Sequence, residues 1–145
     1  MQRRDFALRL TALAAAPALG ALPLTAIAAG VGQPAPLFAL RNTQGQTVRL
    51  EDFKGKPVVL EWTNPGCPFV RKHYQGNMQA LQKTYTARGV AWLTANSTET
   101  ASADYLAPAA LAQWMSDQNA SPTAVLMDED GRVGKAYGAR VTPHR

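Results

Sequence analysis

A second cysteine is missing from this chain: Cys67 stands alone among 145 residues, with only two histidines, His73 and His144. Exported proteins ordinarily carry cysteines in even numbers as structural disulfides, and a single thiol excludes any intrachain bridge. Cys67 is therefore inert, catalytic, or paired transiently with another molecule. Clustered lysine and arginine with interleaved aromatics are also missing, which excludes nucleic acid as the partner. No internal repeat interrupts the chain, and its length suits one domain. No cofactor motif appears. Cys67, His73 and His144 offer thiolate and imidazole, donors that suit copper, but no tight spacing motif joins them.

An unbroken apolar run is the next absence. The opening segment MQRRDFALRLTALAAAPALGALPLTAIAAG has a basic start and a long Ala/Leu stretch interrupted by Pro17 and Pro23. A spanning helix needs about 20 predominantly apolar residues, so this segment reads as an export signal instead. Ala26-Ile27-Ala28 has the small-x-small form of a cleavage site, placing the expected cut after Ala28. Arg3-Arg4-Asp5-Phe6-Ala7-Leu8 resembles the twin-arginine consensus without the usual Ser or Thr before the pair; an ordinary secretory signal is the alternative. Both routes lead out of a bacterial cytoplasm, with the periplasm as the expected location and no membrane association after removal. Loss of residues 1–28 takes three arginines and one aspartate, lowers the formal net charge from +5 to +3, and leaves 117 residues.

What is present alternates between strand and helix. Pro34 and Pro36 extend the lead-in. Leu37 to Leu40 and Thr47 to Leu50 flank the turn formers Asn42 and Gly45, which predicts a hairpin. Val58 to Trp62 is an apolar run of strand length, of the kind covered on both faces. From Cys67 onward, Val70, Tyr74, Met78, Leu81 and Tyr85 form one helical stripe, weakened at Gly76 and stopped at Arg88-Gly89. Val90 to Thr94 and Thr123 to Met127 read as further strands. Pro108 opens a helix with Leu111, Trp114 and Met115 on its apolar side, and Val133 to Tyr137 forms a short one. This order implies βαβ crossovers, hence an α/β sandwich around a mainly parallel sheet.

Cys67 falls where the strand 58–62 has ended and a helix begins. Unpaired N–H groups at a helix start stabilise an anion and lower a thiol's pKa. Pro65-Gly66 before it and Pro68 after it shape the turn, at the carboxyl edge where open α/β sheets bind ligands. Arg71, one helical turn on, and Lys72 are expected to add positive potential. The competing reading is equally physical: free cysteine is among the most buried residues and packs as a small hydrophobe. His73 points elsewhere on the helix and reads as surface or packing. Glu61 interrupts an apolar strand. Buried, it would have its pKa raised and serve as a proton acceptor; facing outward, it would sit beside a lysine.

These residues together resemble the thioredoxin-like superfamily, in its redoxin branch of alkyl hydroperoxide reductase and thiol-specific antioxidant proteins. The resemblance runs from about Gly32 to the end, and VGQPAPLFALRNTQGQTVRLEDFKGKPVVLEW is similar to that branch's opening. It implies a thioredoxin-like fold and thiol-based oxidoreduction. It assigns Cys67 as the reacting thiol, and Glu61, six residues earlier, as the buried acid that shuttles its proton. Thr142-Pro143 looks like the cis-proline site that faces the cysteine and positions a partner.

The departures are informative. Val70 replaces the second cysteine of Cys-x-x-Cys, which removes dithiol exchange within one chain. Leu60 and Asn64 stand where peroxiredoxins carry the Pro and Thr of Pro-x-x-x-Thr-x-x-Cys, although Cys67-Pro68 matches. The peroxidatic arginine has no counterpart. In the family the Thr-Pro segment leads into two more strands and a closing helix, whereas this sequence stops two residues after Pro143. The expectation is thus a domain incomplete at its C-terminus, with one sheet edge exposed.

The function expected from this is an antioxidant thiol oxidoreductase acting on peroxide or disulfide. Cys67 and Glu61 would be catalytic, and Asn64, Pro68, Arg71, Thr142 and Pro143 supporting. An external thiol reductant or a thiol/disulfide protein would be the partner, with no metal or cofactor. The alternatives are a non-catalytic binding module for a protein or copper, and an inactive truncated product.

Overall fold

The computed structural model describes residues 29–144. The expected export signal, residues 1–28, lies outside the described residues.

Among the described residues, five strands form one sheet in the order β2-β1-β5-β4-β3, from β1 (Ala39–Asn42), β2 (Thr47–Arg49), β3 (Val58–Trp62), β4 (Ala91–Asn96) and β5 (Ala124–Met127). β3, β4 and β5 run parallel, with Glu61 opposite Thr94 and Ala95 opposite Leu126. The hairpin joins antiparallel through β1 against β5, so the sheet is mixed, its parallel part confined to the three strands that carry crossovers. The hairpin turn is set by Asn42, whose Oδ1 accepts the N–H groups of Gln44 (3.0 Å) and Gln46 (2.8 Å).

β4 is buried at all six positions, as a parallel strand covered on both faces must be. Alternation along the strands sorts the core into two layers. Trp92, Val125 and Met127 face Val70, Tyr74, Met78, Leu111 and Met115 from the helices of one side. Leu93, Ala95, Leu126 and Trp62 face Phe38, Val133 and Tyr137 on the other. The same alternation sends Glu61 to the first face and Trp62 to the second.

The helices are α1 (Pro68–His73), α2 (Asn77–Thr86), α3 (Pro108–Asp117) and α4 (Arg132–Ala136). The single helix expected from Cys67 to the stop at Arg88-Gly89 is two. Gly76 adopts φ +123°, a conformation that breaks the hydrogen-bond ladder and that side chains other than glycine's rarely tolerate. The break resets the phase of the stripe. Met78 and Gln82 face the core from α2, while Tyr85 is exposed with the Arg88 guanidinium over its ring.

Candidate functional site

β3 ends at Trp62, and the chain turns through Asn64-Pro65-Gly66-Cys67 before α1 begins. Asn64 builds this turn twice over: its Oδ1 accepts the Gly66 N–H at 2.7 Å, and its carbonyl accepts the Cys67 N–H at 2.9 Å. Cys67 is the residue immediately before α1, with extended backbone (φ −75°, ψ 124°), and Pro68 takes the first helical position, where its missing N–H costs nothing. Arg71 closes the arrangement from the helix, its Nε donating to the Pro65 carbonyl at 2.7 Å.

The Cys67 thiol is half-buried, with Sγ 3.2 Å from the carbonyl oxygen of Thr142. The Thr142–Pro143 peptide bond is cis. One residue on, His144 pairs with Trp62 in an antiparallel bridge, with N–H···O distances of 2.8 and 3.3 Å. This pairing carries residues 142–144 across the end of β3 and sets Thr142 over the thiol.

The thiol's pKa is lowered. The largest cause is a hydrogen bond from the Thr142 hydroxyl; burial opposes it, and the backbone N–H groups of Val70 and Phe69 add to it. Thr142 thus acts on both forms. Its carbonyl accepts from the S–H, while its hydroxyl and the two amides donate to the thiolate, and the donors prevail. Arg71, expected to supply positive potential, also donates to the Pro65 carbonyl, and a charge that the spacing does not announce acts on the thiol as well. Asp104 raises the pKa. Its carboxylate lies against Gly66 so closely that a Cβ there would fall 2.5 Å from the Asp104 Cγ. Nothing in the spacing from Gly66 to Asp104 signals this approach, because the contact is made by the loop after β4.

Glu61 is fully buried, so the outward-facing alternative is excluded. Its carboxylate accepts the Trp92 indole N–H at 2.8 Å and the Tyr74 hydroxyl at 2.9 Å, with Gln82 Nε2 and Thr94 Oγ1 at 3.4 Å. Burial, followed by the charge of Glu61, pushes the Tyr74 hydroxyl far above its ordinary value, so Tyr74 stays a donor. Cys67 packs against the same apolar cluster, which contains Tyr74 and Trp92. Thiol and carboxylate therefore share one face of the sheet.

The histidines do not join the thiol as metal ligands. His73 lies 3.4 Å from the Asn77 side chain, and His144 sits edge-on to the Trp62 ring. Among the described residues no group of three or more His, Cys, Asp or Glu is placed to hold a metal ion, which overturns the Cys67–His73–His144 copper site. No described helix is long and apolar enough to cross a membrane.

On the other side of Thr142 opens a cleft of about 510 Å³, lined among others by Thr63, Asn64, Ser97, Lys135, Arg140 and Thr142. Its wall is built on Asp128, a buried carboxylate that accepts the Ser97 hydroxyl at 2.6 Å and the N–H groups of Gly134 (2.8 Å) and Val133 (3.1 Å). The Trp62 indole N–H donates to Ser97 at 3.0 Å. In the sequence Asp128 reads only as part of a tight turn; its position just past β5 is the signal that it caps α4.

Five mixed strands, helices on both faces and a cysteine between β3 and α1 define a thioredoxin-like protein, and comparison with known proteins agrees. The chain belongs to the AhpC/TSA family, which matches residues 31–145. It is 26% identical over 115 residues to the thiol-disulfide oxidoreductase ResA of Halalkalibacterium halodurans, a match that covers 79% of this chain and 60% of that protein. A crystal structure of an uncharacterized conserved protein from Geobacillus kaustophilus superposes with a TM-score of 0.69 at 35% identity, covering 77% of this chain and 59% of that one. A secreted Mycobacterium tuberculosis disulfide oxidoreductase shares the fold, with a TM-score of 0.58 at 21% identity over 73% of this chain and 71% of that one.

Proposed function

We propose that this chain is an exported thiol oxidoreductase that works through one cysteine. The observation that carries the reading is the Cys67 thiol at the strand-to-helix turn, 3.2 Å from the Thr142 carbonyl, with its acidity raised by the groups around it. A thiolate is the nucleophile in thiol exchange and in reaction with peroxides. With a disulfide, the Cys67 thiolate attacks one sulfur, forms a mixed disulfide and expels the other sulfur as a thiolate. With a peroxide, it takes the distal oxygen, becomes a sulfenic acid and releases water or an alcohol. Because Val70 occupies the position of a second cysteine, an external thiol must resolve either product.

In this reading Glu61 holds or returns the proton through its buried donors, and Asn64, Pro68 and Arg71 hold the turn. Thr142 and Pro143 position the partner. The thiol-disulfide oxidoreductase activity named for the Halalkalibacterium relative supports a disulfide partner. The secreted Mycobacterium protein and the twin-arginine-like leader support export.

The test is intact-mass measurement of the full chain after one equivalent of hydrogen peroxide, and separately of oxidised glutathione, with Cys67→Ser as control. Adducts confined to Cys67 and formed faster than on free cysteine are expected. A thiol left unmodified by both reagents would overturn the reading.

A second reading, a binding module without chemistry, is favoured by the exposure of Phe69 and Val141, each 67% accessible and flanking Cys67 and Thr142 in the chain. Stable capture of a partner by Cys67→Ser at wild-type affinity, with no thiol adducts in the wild type, is its signature.

A further inference from the structure

We infer that Asp104 determines the charge of what Cys67 attacks, favouring a disulfide that carries a basic group beside the attacked sulfur. This rests on the reading of Cys67 as a reacting thiol and names the chemistry of its partner.

Gly66 shows that the approach of Asp104 is built into the turn. Gly66 is not among the glycines that adopt positive φ, so its backbone conformation does not call for a glycine. Space does. A Cβ there would fall 2.5, 2.7 and 2.9 Å from Cγ, Oδ1 and Oδ2 of Asp104, and its three nearest heavy atoms all belong to that carboxylate. Carbon atoms in contact prefer about 3.5–4.0 Å, so any side chain at Gly66 displaces Asp104. The loop that delivers the acid is pinned beside it. Ser102 Oγ accepts the Asp104 N–H at 3.2 Å, and the Tyr105 hydroxyl donates to Glu129 at 2.5 Å. Tyr105 and Leu106 pack against the same core cluster as Cys67.

The charge of Asp104 is unspent. The residue is exposed, and among the described residues its carboxylate enters no hydrogen bond or ion pair. It nevertheless reaches the sulfur, where it disfavours the thiolate. A cation brought beside Asp104 by the partner offsets that penalty, so the thiolate gains as a matched partner docks.

The surroundings suit such a cation. Asp104 and Trp114 line a pocket of about 300 Å³ beside Pro65 and Gly66, and a carboxylate with an aromatic ring is a setting that attracts an ammonium or guanidinium. Arg71 lines the pocket too. It reaches Pro65, two residues from Cys67, whereas Asp104 lies against Gly66, the residue next to the thiol. In the selected reaction the Cys67 thiolate bonds to the sulfur nearest the basic group, and the second sulfur leaves as a thiolate. The cation makes and breaks no bond.

The full chain is treated with three ethyl methanethiosulfonates that carry a trimethylammonium, a hydroxyl or a sulfonate on the far carbon. In each, the Cys67 thiolate takes the thioethyl sulfur and methanesulfinate leaves, so the leaving group is constant. Formation of the mixed disulfide is followed by intact mass at low ionic strength. Every rate is divided by that of the same reagent with mercaptoethanol, and ratios taken within one protein cancel its thiolate fraction. The trimethylammonium reagent is expected to outpace the sulfonate about fivefold, a preference that shrinks as salt is added. Asp104→Asn removes the preference. Gly66→Ala, which keeps every charge but forces the carboxylate aside, lowers it. Glu51→Gln, which removes an acid ahead of β3 at the opposite end of the strand, leaves it unchanged. An equal or reversed ratio on the wild type, or a preference that survives Asp104→Asn or Gly66→Ala, overturns the role of Asp104 while leaving Cys67 a reacting thiol. Failure of the neutral reagent to modify Cys67 overturns both.

Discussion

At Cys67 the balance between thiol and thiolate is set by groups from three separate segments: the Thr142 hydroxyl, the first amides of α1 and the Asp104 carboxylate. Their signs give a pH prediction. With its pKa lowered, Cys67 reaches full thiolate at lower pH than an ordinary cysteine, so its alkylation by iodoacetamide levels off earlier as pH rises. Thr142→Val removes the donor that favours the anion and moves that midpoint up. Asp104→Asn removes a negative charge that disfavours it and moves the midpoint down. A rate–pH series on the three proteins checks all three directions. Glu61 makes a separate prediction. Its carboxylate faces donors from Trp92, Tyr74, Gln82 and Thr94, so Glu61→Gln turns an amide N–H₂ toward groups that also donate. Urea unfolding is expected to show a loss of about 1–3 kcal/mol, the cost of a buried polar group left unmatched.

Among the elements, the helical region after Cys67 separates what a pattern can and cannot reveal. The stripe Val70, Tyr74, Met78 is legible because it repeats at helical spacing, and all three side chains are buried. The break is not legible from spacing, because a glycine inside a helical pattern is compatible with both a weak helix and an interruption. Tertiary contacts decide for the interruption. The Gln79 side chain accepts the Gly76 N–H at 3.0 Å and donates to the carbonyls of Tyr74 and Gln118, tying the break to the end of α3. Gly76→Ala must force a Cβ into φ +123° and is expected to cost about 1–3 kcal/mol, measured by thermal or urea unfolding. The loop after β4 was equally hidden: it reads as polar and irregular, yet it delivers Asp104 to Gly66 and Ser97 to Asp128.

For the whole molecule, β4 is the member on which both layers depend, since its alternate residues enter the two clusters. Leu93 is fully buried at its centre. Leu93→Ala is expected to cost about 2–5 kcal/mol and to lower the unfolding midpoint, with the range set by how far the cavity collapses. The chain spans about 60% of the length of the relatives it matches first, so activity belongs to the proposal above and to its test.

From residue types and spacing alone came the alternating elements, the three parallel strands with a hairpin before them, and a lone thiol at a strand-to-helix turn. Each is encoded locally, by apolar period, by turn residues such as Asn42 and Gly45, and by Pro68 at a helix start. Only the tertiary structure decided which way Glu61 points, which charge reaches Cys67, and that Thr142 stands between the thiol and a cationic cleft. Those facts depend on segments distant in sequence meeting at one end of β3, and no local pattern records the register at which a sheet brings them together.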